Sequence, residues 1–319
     1  MLYSTVTPAA KRAAFRERLR SGELLQLPGA FNPLSARLIA DKGFDGVYVS
    51  GAVVSADLGL PDVGLTTLTE VATRAGQIAR MTDLPTLVDA DTGFGEAMNV
   101  ARTVQAMEDA GVAGLHIEDQ VNPKRCGHLD GKQVVDDATA LQRVRAAATA
   151  RRDENLLIMA RTDIRAVAGL DAAIDRARAL VDAGADAIFP EAMRDLGEFE
   201  AVASALEVPV LANMTEFGKS ELFDARRLAD AGVALVIYPV SLLRLAMGAA
   251  ERGLDALAAQ GSLRSQVEQM QTRSRLYELL DYGRYTTFDA GVFDFSLDDH
   301  HRPGRPDPDI HRNDAKEHP

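Results

Sequence analysis

Along the chain, short unbroken apolar runs alternate with longer stretches in which apolar residues recur every three or four positions. The runs cover residues 24–30, 46–51, 86–91, 114–119, 156–163, 186–192, 209–215 and 234–240. None shows the strict alternation of a strand with one wet face, and each suits a parallel strand buried on both sides. The intervening segments carry a helical period. Leu34, Leu38 and Ile39 share a face, as do Val100, Val104 and Met107, and again Ala173, Ile174, Ala177, Leu180 and Val181. Several such segments close in "KGFDG", "AGVAG", "AGADA" or "AGVAL" just before the next run. A glycine there is the expected helix-to-strand turn. Eight strands alternating with helices predict an α/β fold, a closed (β/α)8 TIM-type barrel rather than an open doubly wound sheet. No GxGxxG follows the first run, so a dinucleotide fold gains no support.

Two further helical stretches, 241–261 and 262–285, exceed what one barrel needs and imply packing against another subunit. The expected organisation is one barrel domain with C-terminal helices over 1–295, then a charged, proline-rich, flexible tail over 296–319. Composition narrows the function. With 46% hydrophobic residues among 319, a sizeable core is available. The net charge of −12 argues against a nucleic-acid partner, which wants a basic face. No run of about 18 uncharged apolar residues is present, so no membrane partner is expected. The single cysteine, Cys126, cannot form an internal disulfide, and the N-terminus lacks a signal-like apolar region. Both point to a reduced, cytoplasmic protein.

A barrel carries its chemistry at the C-terminal ends of its strands. Polar residues cluster there: Tyr48 and Ser50; Asp89 and Asp91; His116, Glu118 and Asp119; Arg161 and Asp163; Glu191; Asn213 and Thr215; and Arg244. Asp89 and Asp91, two apart on a strand, would project to one side. With Glu118 they form a carboxylate cluster that suits Mg2+, with Mn2+ as substitute; the alternative is a loop with helix-capping aspartates. Arg161 and Arg244 could grip a carboxylate, or could be structural ion pairs with Glu191 or an aspartate. Cys126 lies in a polar, glycine-containing loop beside Lys124, Arg125 and His128, cations that would favour the thiolate. Metal-binding carboxylates, arginines and a thiol together suggest C–C chemistry on a small polycarboxylate. The metal would steady an oxyanion and the thiol would protonate a carbanion.

The blocks "SGAVVSADLGLPD" (50–62), "VDADTGFG" (88–95), "KRCGH" (124–128), "ARTD" (160–163), "FPEA" (189–192) and "LANMTE" (211–216) resemble the isocitrate lyase/phosphoenolpyruvate mutase superfamily. The resemblance covers roughly residues 8–290 and is closest to the branch that cleaves 2-methylisocitrate to pyruvate and succinate in propionate degradation. It implies a barrel whose last helix is swapped with a neighbour in a homotetramer, a dimer of dimers. It also implies Mg2+ held by Asp89 and Asp91, with Asp62 and Glu118 in the outer shell, and Cys126 as general acid. Ser50, Gly51 and Ala52 would meet the pyruvate part, while Arg161 and Glu191 would line the pyruvate and metal side. Arg125, Gly127, His128, Asn213, Thr215, Arg244 and Arg273 would bind the rest of the substrate. Tyr48 is the candidate for taking the hydroxyl proton, with Arg161 or a metal-bound hydroxide as alternatives. Relatives often read "SGGG" where this chain has "SGAVV", and "LDGK" follows the cysteine motif where an "RPNK"-like run is usual. Isocitrate lyases, 2,3-dimethylmalate or other 2-alkylmalate lyases and oxaloacetate-acting relatives share the chemistry. The chain has no tryptophan to narrow an isocitrate pocket, and Phe189 stands near that place.

Overall fold

The computed structural model describes residues 3–125, 127 and 131–293. Cys126, His128 and the expected tail lie outside the described residues. Among those described, eight parallel strands each fall inside an expected run: β1 (Leu25–Pro28), β2 (Val47–Val49), β3 (Thr86–Asp89), β4 (Gly114–Glu118), β5 (Leu157–Thr162), β6 (Ala187–Pro190), β7 (Leu211–Asn213) and β8 (Leu235–Tyr238). Strands β2 to β6 form one ladder, and β7, β8 and β1 form another. Single parallel bridges, Gly29 to Tyr48 and Ile188 to Val210, join the two at both seams. The strands therefore run round a ring in chain order, as a (β/α)8 barrel does.

Alternation along the strands separates two cores. Leu25, Leu27, Tyr48, Leu87, Met159, Phe189, Leu211 and Ile237 pack together inside the ring. Val88, Leu115, Ile117 and Ile158 face outward against Val100, Val104 and Met107 of helix Ala97–Asp109. Ala160 and Ile188 meet Ala177 and Leu180 of helix Leu170–Asp182. Each such leucine or isoleucine stabilises the fold by about 1.5–3 kcal/mol relative to exposure. One helix that the apolar pattern did not announce, Pro8–Arg20, sends Phe15 and Leu19 into the inner core. Its cations are buried too. Lys11 Nζ donates to the carbonyls of Ala79 and Thr82, and Arg12 Nε donates to that of Val112. Ala79 closes helix Leu68–Ala79, so the lysine meets the negative end of that helix.

Helix Ser241–Gln260 behaves differently. Of its 20 residues only Ala256 is buried, while Leu245, Met247 and Leu254 are each at least 60% exposed. Residues up to Gln271 make one compact unit and those from Thr272 another. In the second unit, helices Arg273–Leu279 and Tyr282–Phe293 are joined by Tyr277 stacking on Tyr282, ring centroids 4.8 Å apart. Among the described residues, no helix is long and apolar enough to cross a membrane.

Candidate active site

The strand ends open into a cavity of about 260 Å3. Tyr48 and Ser50 after β2, Asp89 ending β3, Arg161 on β5, Phe189 and Glu191 at β6, Asn213 and Thr215 at β7, and Arg244 after β8 all line it. So do Ala52, Asp62, Arg125 and Gly127. Arg125 and Gly127 are the chain neighbours of Cys126. Arg273 lies in the second compact unit, at the start of its first helix.

Asp89 and Asp91 do converge, but not as an extended strand would arrange it. β3 ends at Asp89, and Asp91 adopts a left-handed backbone with φ 47°, a conformation aspartate tolerates better than most residues. Its N–H donates to Asp89 Oδ1 at 3.0 Å. Both carboxylates face Gly51, whose N–H donates to Asp89 Oδ2 at 3.2 Å. A Cβ at position 51 would lie 3.0 Å from an oxygen of each aspartate, which is why glycine stands there.

The charge around this pair is dense. Lys124 is 4% exposed and forms ion pairs with Asp62 and, at 2.7 Å, with Asp91. Burial pulls its pKa down, but Asp91, Asp89, Glu118 and Asp62 outweigh that and raise it above the ordinary lysine value. Its ammonium pairs with these carboxylates, a partnership the sequence did not announce. Burial and the Asp89 charge push Asp91 up to about 6 despite Lys124. Asp89 moves the other way: burial would raise it, but His116, Lys124 and Arg161 hold it below the usual carboxylate range. Burial also raises Glu118, against the pull of Arg161.

Arg161 is buried among three carboxylates. Its Nε lies 3.0 Å from Asp163 and 3.2 Å from Glu118, and its Nη2 lies 3.2 Å from Glu191. Burial disfavours the guanidinium charge, but Asp163, Glu118 and Glu191 more than restore it. A guanidinium held this way is favoured in its charged form. Its plane also stacks over Phe189, 5.1 Å from the ring centroid. Arg244 donates to Thr215 Oγ1 at 3.2 Å and to a carboxylate oxygen of Glu216 at 2.9 Å, and Asn213 Nδ2 reaches Glu191 at 3.5 Å.

Tyr48 is backed by a residue given no role in the sequence reading. Its hydroxyl lies 2.7 Å from His116 Nε2, and His116 Nδ1 lies 3.7 Å from Asp89. Burial drives the His116 pKa down to about 4, so at neutral pH the ring is uncharged and can accept a proton at Nε2. Burial, then the Asp89 charge, keeps Tyr48 a phenol well above pH 10. The pair is a short hydrogen-bonded link from the cavity wall into the barrel.

The residues present fit a hard divalent ion. Asp89 and Asp91 offer oxygens, Lys124 links Asp62 to Asp91, and among the described residues the buried Glu118 Oε1 has no hydrogen-bond partner. Among the described residues, no group of three or more His, Cys, Asp or Glu side chains gathers closely enough to hold an ion. A set of two carboxylates completed by water is how Mg2+ is commonly bound.

The model of the phosphoenolpyruvate phosphomutase family matches residues 15–258. The chain belongs to the PEP mutase/isocitrate lyase superfamily. It is 59% identical over 295 residues to probable 2-methylisocitrate lyase 2 of Corynebacterium glutamicum, covering 92% of this chain and 96% of that protein. Among solved structures, 2,3-dimethylmalate lyase superposes with a TM-score of 0.83 at 33% identity, covering 92% of this chain and 99% of the other. Phosphonopyruvate hydrolase, solved as a complex with oxalate and Mg++, gives 0.80 at 28% identity over 89% and 99% of the two chains. The fold and superfamily expected from the motif blocks are therefore those of this chain.

Proposed function

We propose that this superfamily member is a Mg2+-dependent carbon–carbon lyase that cleaves 2-methylisocitrate to pyruvate and succinate, the step that serves propionate breakdown through the methylcitrate cycle. The observation that carries the reading is one small cavity lined by Asp89, the cations Arg161 and Arg244, and both chain neighbours of the only cysteine, with Asp91 bonded to Asp89 beside it. High identity to probable 2-methylisocitrate lyase 2 over nearly the whole chain selects this substrate over the 2,3-dimethylmalate of a structural neighbour at 33% identity.

Asp89 and Asp91 would hold the ion. Bound there, Mg2+ supplies Lewis-acid stabilisation of the substrate oxygens that gain charge. The protein's own groups do the rest. Ser50 Oγ caps no helix and faces the cavity beside Ala52, so the pair shapes the floor for the pyruvate part. Arg161 stays cationic and orients Glu191 and Glu118. Asn213, Thr215 and Arg244 present N–H and O–H donors suited to the succinate carboxylates. The substrate hydroxyl passes its proton to Tyr48 Oη while Tyr48 passes its own to His116 Nε2. As the C–C bond breaks, the Cys126 thiol delivers its proton to the succinate carbon that keeps the electron pair. A working thiol needs a reducing compartment, which makes the cytoplasm the natural setting. We assign the exposed apolar side of helix Ser241–Gln260 to a subunit interface of a homotetramer.

The test is a substrate panel on the purified protein: 2-methylisocitrate, isocitrate, 2,3-dimethylmalate and oxaloacetate, each with Mg2+. The highest kcat/KM is expected with 2-methylisocitrate. An equal or higher value with 2,3-dimethylmalate would reassign the substrate while leaving the lyase chemistry in place.

A further inference from the structure

We infer that Gln120 and Lys132 are a pair of positioning residues that hold the backbone of Arg125 and of Gly127, the residues on either side of Cys126. The inference rests on the thiol being the proton donor of the proposed reaction. Gln120 follows β4 and is 1% exposed. Its side-chain amide pairs with the backbone of Arg125 at both ends: Nε2 donates to the Arg125 carbonyl at 2.9 Å, and Oε1 accepts from the Arg125 N–H at 2.9 Å. Lys132 holds the other neighbour. Its buried ammonium donates to the Gly127 carbonyl and, at 2.8 Å, to Asp163 Oδ1.

These contacts are not what closes the loop. Its neck is already tied by backbone pairs, with Val121 N–H donating to the Gln133 carbonyl at 2.9 Å and Val135 N–H to that of Asp119 at 2.8 Å. The two buried side chains act further out, on residues 125 and 127, each one peptide from the thiol and each lining the cavity. The far anchor is shared with the catalytic wall. Asp163, which holds Lys132, also holds Arg161 at 3.0 Å, and its N–H donates to Asp119 at 2.9 Å. Gly127 sits so close to this wall that a Cβ there would meet Arg161 Nη2 and lie 2.5 Å from Glu191 Cγ. Proton transfer needs donor and acceptor within a few tenths of an ångström of the productive geometry. Two satisfied amide bonds at Arg125 and one charged bond at Gly127 provide that restraint.

The experiment uses the full-length protein with Mg2+ and 2-methylisocitrate, comparing wild type with Gln120→Ala and Lys132→Met. Two lost neutral hydrogen bonds, or one lost charged one, correspond to about 30-fold in rate. Each variant is therefore expected to lose about 30-fold in kcat with KM changed less than threefold. The double variant should lose less than the product of the two, because both side chains restrain one loop. Should Gln120→Ala fail to fold, the isosteric Gln120→Glu keeps the acceptor for the Arg125 N–H, no longer donates to the Arg125 carbonyl, and is expected to lose about fivefold in kcat. Wild-type kcat per folded molecule in the single variants would overturn the inference, as would losses that appear only in KM or only in the yield of folded protein. A wild-type enzyme that does not cleave 2-methylisocitrate would instead overturn the reading on which it rests.

Discussion

Replacing Lys124 with methionine removes the ammonium from the carboxylate cluster at nearly unchanged volume. The separation from Asp91 is 2.7 Å. At the effective dielectric of about 20 suited to protein sites, one such pair is worth about 6 kcal/mol of Coulomb energy. Burying the ammonium offsets part of this, and removing one partner of a buried pair typically costs about 3–5 kcal/mol, because the other charge is left uncompensated. The expected loss at pH 8 in EDTA is therefore about 3 kcal/mol or more in urea unfolding followed by circular dichroism. The pH dependence has a definite sign. In the wild type Asp91 titrates at about 6 against 3.8 for an ordinary aspartate. A carboxylate raised on folding binds its proton more tightly in the native state, so it lowers stability as pH rises through that window. Without Lys124 the Asp91 pKa climbs further. The gap between variant and wild type should be smaller near pH 4 than above neutrality. Mg2+ should narrow it at pH 8 by supplying positive charge to the same oxygens. Equal stability of the two proteins at pH 8 in EDTA would refute the electrostatic picture of the site.

Cys126→Ser should keep the fold by circular dichroism and lose nearly all turnover; a variant with most of the wild-type rate would remove the thiol from the mechanism. Gly127→Ala should fold but lose at least 100-fold in kcat, because the added methyl runs into Arg161 and Glu191; wild-type kinetics would mean the loop can retreat freely. His116 is held neutral down to about pH 4, whereas an unfolded histidine protonates near 6.5. A depressed histidine costs the fold stability as pH falls through that window, here about 3 kcal/mol. His116→Gln should flatten this acid limb in unfolding experiments between pH 4 and 7, and an unchanged limb would place the titration elsewhere. Exhaustive chelation should stop turnover, and added Mg2+ or Mn2+ should restore it; full activity in the chelated protein would end the metal assignment.

Much of the barrel was legible because its signal is local. Eight buried runs between helical periods mark the strands, and polar residues at their C-terminal ends mark the rim. What escaped depends on approach between distant segments. No pattern in the sequence reveals that Lys124 pairs with Asp62 and Asp91, since that depends on how the loop after β4 folds. His116 reads as one more strand residue until Tyr48, 68 positions earlier, is seen to meet it. Gln120 and Lys132 look like ordinary polar loop residues in the sequence, and only their reach to the Arg125 and Gly127 backbone distinguishes them. The Asp89–Asp91 pairing was anticipated for a strand geometry, whereas a left-handed turn at Asp91 produces it. Helix Pro8–Arg20 was missed because its contribution is two apolar residues and two buried cations rather than a continuous stripe.

The most direct test of the whole account is product analysis by NMR, with the purified protein, Mg2+ and 2-methylisocitrate. The account predicts that substrate disappears as pyruvate and succinate accumulate in equal amounts. It is contradicted if the substrate remains intact under conditions where the folded, Mg2+-loaded protein is stable, or if either product forms without the other.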